Sequence, residues 1–330
     1  MLGLLKKIPP QKRLALVLLA ALYAFFAFRG VGFVSLATTQ SILGTSYFIG
    51  FLAIGMTFVI ISGGIDLSVG AVMVCSALAG GMFYRDYGWP LWLCIPVILL
   101  VGTAFGLING ILVTRLKLPP FIATLGTMMV SLGLGSIITN AMPKYFPGTL
   151  EADSWYPFLF AGTAGGFPTG LIFLLLFCAA AAAAVNMTKF GSDLFTIGKN
   201  EGDARQSGIK THNRKFAAYI ICGFCAGLAA VFYSAVYMAV SPNTGNGFEL
   251  QAIAAAVIGG TSLYGGTGSV SGTVIGVFVI SVLRNGLVSM GLPAPYQTIF
   301  TGGVVIGAVL LDISLAKKTE IINIDQNKEE

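Results

Sequence analysis

The sequence predicts an all-α, polytopic membrane protein of about ten spanning helices, some of them broken, arranged as an inverted repeat with both termini cytoplasmic. Three observations carry this. Of 330 residues, 56% are hydrophobic and 10% charged, and the mean hydropathy is +0.86, whereas a water-facing domain carries roughly 25% charged residues. Apolar runs long enough to cross a bilayer follow one another along the chain. Lys and Arg concentrate in alternate connections, which fixes the expected orientation.

The first apolar run, 14–28, follows Lys6, Lys7, Lys12 and Arg13. It looks like a secretory leader, but Phe28 and Arg29 stand where a small-residue cleavage site would follow, so it reads as an uncleaved first helix. Further helices are expected near 43–61, 71–84, 91–113, 121–142, 169–187, 216–239, 251–264, 270–290 and 297–314. The runs 71–84 and 251–264 are short and rich in glycine, the mark of helices that start or stop inside the membrane. With the first residues inside, the cytoplasmic side receives Arg115, Lys117, six basic residues between Lys189 and Lys215, and Lys317, Lys318 and Lys328. Only Arg29, Arg85 and Lys144 fall outside. The long connections are about 143–168 outside and 188–215 inside, and polar loops of that length are usually either functional or disordered.

Composition also excludes. The formal charge of +6 is not gathered on a basic arm with interleaved aromatics, so nucleic acid is dropped as a partner. The Gly-rich stretch 259–268 lacks the Gly-Lys-Ser/Thr of a phosphate-binding loop. No metal-ligand cluster is visible, and the single histidine, His212, lies in a polar loop. The five cysteines sit in apolar runs; Cys222 and Cys225 read as small packing residues beside Gly223 and Gly227. Gly102, Gly106 and Gly110 share one helix face, as do the pairs Gly272–Gly276, Gly223–Gly227 and Gly303–Gly307, a spacing that lets helices approach closely.

The two halves, about 40–142 and 216–314, repeat one another within a single transmembrane domain spanning 1–330. Asp66-Leu67-Ser68 resembles Glu249-Leu250-Gln251, Gly80-Gly81 resembles Gly259-Gly260, Asn109-Gly110 resembles Asn285-Gly286, and Leu118-Pro119 resembles Leu292-Pro293. The separation shrinks steadily along the series, and each pair points in opposite directions across the membrane. Within this frame Asp66, Glu249 and Arg284 are the ionisable residues inside membrane segments, where charge is costly and tends to serve function. Asp66 and Ser68 follow a glycine pair at a helix break, and Glu249 opens the matching short helix. They read either as caps of free N–H groups or as contacts for a solute. Ser68, Asn109, Thr124 and Gln297 join them as polar residues on plausible path-lining faces, and Arg284 either snorkels or reaches the path.

The segment from Thr188 to Ile209 carries a resemblance. Gly198, Asn200, Glu201, Ala204, Arg205, Gly208 and Ile209 are similar to the coupling region of permeases from the ribose, xylose, arabinose and galactose ABC importers. Further blocks agree: Ile54–Thr57 with Ser62–Gly70, Phe121–Gly126, and Gly247–Leu250 leading to Ile258–Leu263 and Gly265-Gly266. Gln251 departs from the acidic residue that many relatives carry there. The likeness covers about 40–315.

The resemblance implies a monosaccharide-importer permease subunit in a bacterial cell membrane, itself without catalytic residues, metal or cofactor. Its implied partners are an ABC ATPase docking on about 188–215, a second permease subunit, and an extracytoplasmic sugar-binding protein. Two other readings stay open: an ion-coupled carrier that would use Asp66 and Glu249, and an ABC permease for nucleosides or polyols.

Overall fold

The computed structural model describes residues 10–162, 168–293, 295–304, 306–307 and 310. In chain order the elements are α1 (Pro10–Arg29), α2 (Leu36–Ile61), α3 (Val69–Arg85), α4 (Leu91–Thr114), α5 (Pro120–Ile138), β1 (Lys144–Tyr145), α6 (Trp155–Ala161), α7 (Thr169–Met187), α8 (Lys189–Lys199), α9 (Glu201–Gln206), α10 (Thr211–Tyr237), β2 (Ala239–Val240), α11 (Phe248–Ile258) and α12 (Val270–Ser289). A last helix, α13, covers 295–304. The end of the expected 297–314 helix, and Lys6, Lys7, Lys317, Lys318 and Lys328, lie outside the described residues.

Among the described residues seven helices are long and apolar enough to cross a membrane: α1, α2, α4, α5, α7, α10 and α12. The fold is thus that of an all-α polytopic membrane protein. At 1.5 Å per residue, α3 and α11 measure about 25 and 16 Å, short of a hydrocarbon core of about 30 Å.

Helix ends differ from the apolar runs for local reasons. The run 251–264 stops as helix at Ile258, because Gly260, Gly265 and Gly266 adopt left-handed backbone with φ of 94°, 83° and 71°. The run 121–142 stops at Ile138, where Asn140 and Ala141 turn to positive φ. In the other direction, α10 begins at Thr211, because its first turn is polar and continues a membrane helix into water.

Packing is organised around α2, which is buried from Ile42 onward except for Leu43. The α4–α10 pair meets backbone to backbone: a methyl on Gly102 would lie 2.6 Å from the Gly223 carbonyl oxygen, and one on Gly106 2.5 Å from that of Tyr219. The expected glycine faces there, and at Gly272–Gly276 against Gly259 and Ala255, are close helix contacts. A methyl on Gly303 or Gly307 would meet no other part of the described structure within 4 Å.

The bundle has two unlike ends. One holds α8, α9, the start of α1 and the start of α10: Lys12 Nζ donates to Ser271 Oγ at 2.8 Å, and Arg115 lies over the Phe216 ring. The opposite end is tied by the antiparallel β1–β2 pair, Lys144 opposite Val240 and Tyr145 opposite Ala239. There Arg85 pairs with Glu151, Lys144 with Asp86, and Tyr84 donates to Asp153. Among the described residues basic side chains crowd the first end, while Arg29, Arg85 and Lys144 lie toward the second.

Candidate functional site

Between α2 and α3 the chain leaves helix for residues 62–68, and Asp66 is the hub of that break. The Ser68 N–H and hydroxyl donate to its Oδ1 at 2.9 and 2.6 Å. Asn109 on α4 donates from Nδ2 to both carboxylate oxygens, at 3.3 and 3.2 Å, and to Ser68 Oγ at 2.8 Å. Thr127 on α5 closes the network by donating to Asn109 Oδ1 at 2.6 Å. Thr124 accepts from the Leu67 N–H at 3.1 Å, and the Tyr219 hydroxyl donates to the Ile65 carbonyl at 3.2 Å. Asp66, Ser68, Asn109, Thr124 and Thr127 are all buried. Such a carboxylate is tolerable in an apolar interior because donors surround it. Ser68 sits at the N-cap position of α3, but its side chain makes no cap bond; Asp66 holds the turn instead. Tyr219 is the member that the sequence does not betray, since it lies inside an apolar run. Its one signal is a phenol that needs a partner when buried.

The second break, 241–247, brings Glu249 to the start of α11. Glu249 Oε1 accepts from the Gly247 N–H at 3.0 Å. Oε2 lies against Gly70 of α3, 2.8 Å from where a methyl there would sit, and the Gly245 carbonyl oxygen is 2.6 Å from the same point. The two short helices therefore meet start to start inside the protein. Each N-terminus carries a partial positive charge, and the two carboxylates stand where that charge is greatest.

The remaining path candidates lie apart. Arg284 on α12 stacks over the Phe248 ring, 5.4 Å from its centroid, and its Nη1 is buried with no hydrogen-bond partner. Phe248 belongs to an aromatic cluster with Phe48 and Tyr233, whose ring centroids are 5.0 and 5.9 Å away. Asn285 accepts from Ser41 Oγ at 2.6 Å and donates to Thr45 Oγ1 and to the Ser281 carbonyl. Gln297 donates to the Leu292 carbonyl at 3.4 Å. Gln251 keeps a buried Oε1 without a partner.

Asn200, Glu201, Ala204, Arg205, Gly208 and Ile209 resolve into the parts of one short helix and its caps, while Gly198 lies in α8. Asn200 caps α9, accepting from the Gly202 and Asp203 N–H groups at 2.9 and 3.3 Å and donating to Asp203. Ala204 is buried beneath it. At the far end Gly208 takes φ of 80°; its N–H donates to the Arg205 carbonyl and that of Ile209 to the Ala204 carbonyl, the bond pair of a Schellman cap. Arg205 and Gly208 are exposed, with Gln206 and Ser207 between them. Glu201 bridges Arg205 and Lys215. Partial burial alone would raise its carboxyl, but bonding to Lys215 and then Arg205 outweighs this and holds it below the usual carboxylate value. Arg214 of α10 pairs with Asp193 of α8 at 2.7 Å. Gly198 touches neither the cap nor the exposed tip. A methyl there would lie 1.9 Å from the Ile61 carbonyl oxygen and 2.2 Å from the Gly266 nitrogen.

Comparison with known proteins gives consistent relatives. The chain is 35% identical over 306 residues to the ribose import permease protein RbsC of Haemophilus influenzae, covering 92% of this chain and 93% of that one. It is 38% identical over 269 residues to RbsC of Bacillus subtilis, with 80% of each covered. It is 35% identical over 314 residues to the autoinducer 2 import system permease protein LsrC of Yersinia pseudotuberculosis, 94% of this chain and 87% of that one. No solved structure matches. The sequence pattern of one family matches residues 38–309, well over half the chain, and by that match the protein belongs to the family described as "Branched-chain amino acid transport system / permease component".

Proposed function

We propose that the protein is the membrane-spanning permease subunit of an ATP-driven monosaccharide importer in the bacterial inner membrane, and that it passes sugar inward by alternating access. The single observation that carries the reading is end-to-end likeness to permeases named for ribose import. The family's own description names branched-chain amino acids, but the relatives that cover the chain are named for ribose and autoinducer 2.

The end with α8 and α9 is the cytoplasmic one, which its crowd of basic residues supports. Two permease subunits, two ATPase subunits and an extracytoplasmic sugar-binding protein make up the complex. ATP hydrolysis belongs to the ATPase, which docks on the exposed tip of α9, while Asn200, Ala204 and Gly208 hold that tip in shape. The start-to-start meeting of α3 and α11 supports broken helices and an inverted repeat. Asp66, Ser68, Asn109 and Thr124 form the frame of the transport path, and Glu249, Arg284 and Gln297 are its residues with polar capacity to spare for solute.

The test is affinity purification of the tagged protein from gently solubilised membranes, with mass spectrometry of what accompanies it. A stoichiometric ATPase is expected. Its absence, under conditions that keep other ABC complexes whole, overturns the reading in favour of an ion-coupled carrier that uses Asp66 and Glu249. Docking is tested with Arg205→Glu combined with Gln206→Trp, which should break ATPase association without unfolding the permease.

A further inference from the structure

Four glycines from three separate segments meet beneath α8 and α9. Gly63 follows α2, Gly198 closes α8, and Gly265 and Gly266 lie between α11 and α12. Gly63, Gly265 and Gly266 have φ of 77°, 83° and 71°. A methyl on Gly265 would lie 2.9 Å from Gly63 Cα and 3.0 Å from the Gly198 carbonyl oxygen; one on Gly266 would lie 2.8 Å from the Lys199 nitrogen. The Gly266 N–H donates to the Ile61 carbonyl at 2.9 Å, so the contact is bonded as well as tight.

We propose that this four-glycine contact is the joint through which movement of α8 and α9 reaches the α2–α3 break and the loop between α11 and α12 at once, and that Gly198, Gly265 and Gly266 are positioning residues of transport. The inference rests on the proposed coupling role of α9 and adds where its motion goes. Backbone pressed on backbone has no side chain to rotate out of the way, so a displacement is passed on rather than absorbed. From Gly63 the chain runs directly into the Asp66 hub and α3. From Gly265 and Gly266 it borders α11 on one side and α12 on the other. On the α8 side, Arg214–Asp193 and Lys215–Glu201 tie the same unit to the start of α10.

The experiment uses the complete complex in proteoliposomes, with D-ribose as solute, reading both stimulated ATP hydrolysis and solute moved per ATP. Gly265→Ala and Gly266→Ala are expected to assemble and hydrolyse ATP while moving at least tenfold less ribose per ATP. Gly88→Ala is the control for backbone strain, since Gly88 has φ of 66° and open space around it; it should keep the wild-type ratio. Gly276→Ala is the control for packing, since its methyl would meet the Ala255 carbonyl oxygen at 2.0 Å; hydrolysis and uptake should fall together. A wild-type ratio in both joint variants, or a proportional fall like that of Gly276→Ala, overturns the joint. Amide hydrogen exchange on the wild-type complex does not depend on any variant folding. Adding ATP should change protection in 62–68 and 259–269 together with 198–208, and a change confined to 198–208 overturns the proposal. Failure to recover any ATPase is a different result and sinks the importer reading itself.

Discussion

Asp66 and Glu249 both stand beside the start of a short helix, α3 and α11, yet their surroundings differ. Asp66 is enclosed: three donor groups on two segments use both of its oxygens, and the residue is buried. Glu249 is one methylene longer and only partly buried; it spends one oxygen on its own helix and lays the other against the neighbouring one. The same electrostatic task, a negative charge at a helix start, is thus done by a fixed keystone in one half and by a reaching arm with spare acceptor capacity in the other. Two carboxylates at like positions beside short helices do not thereby have equal surroundings.

The sharpest way to break this comparison is Asp66→Ala. It strands one Asn109 N–H, the Ser68 N–H and the Ser68 hydroxyl in an apolar interior, at a cost of roughly 3 kcal/mol or more. Thermal unfolding in detergent should show the largest loss of the series, and a melting point within error of wild type would mean that Asp66 is no keystone. Gly70→Ala comes next. Its methyl must displace the Gly245 carbonyl or Glu249, for about 1–3 kcal/mol, and the cost should shrink in the Glu249→Ala background because the two sites touch. Strict additivity in that cycle would deny the start-to-start contact. Glu249→Gln keeps an acceptor for the Gly247 N–H, so less than about 1 kcal/mol is expected; a loss as large as that of Asp66→Ala would make the two carboxylates equivalent after all.

The smallest effect lies at the solvated end. The Glu201 carboxyl is held below its ordinary value, so its contribution is complete above about pH 4.5 and fades as pH falls through the lowered folded value. At a half-exposed pair this is worth about 0.2–1 kcal/mol. Melting points from pH 6 to pH 3 should show this slope, and Lys215→Met should remove most of it.

Much of this was legible in the sequence. Apolar runs locate the helices, because lipid demands about twenty apolar residues whatever the fold. They misplace the ends at Ile258 and Ile138, where apolar side chains continue past a left-handed backbone. They miss the polar first turn of α10 for the opposite reason. The residues of the α9 motif stand out in the sequence and explain themselves once folded: a cap, a buried alanine and a left-handed glycine. The partners of Asp66, the stacking of Arg284 on Phe248 and the fit of Gly198 against Ile61 and Gly266 are contacts across long stretches of chain. No local pattern encodes them; they follow only from how the helices pack.

The meeting of α3 with α11 also bears on how the chain is made. At eleven residues, α11 is too short to partition into lipid as a span of its own. Its starting turn is completed by Gly70, which leaves the ribosome far earlier than Glu249 does. Gly70 must therefore wait in the bilayer for Glu249, whereas the Asp66 break already finds Asn109, Thr124 and Thr127 on α4 and α5. The packing of α11 is consequently a late event in assembly, laid against a first break that is already closed.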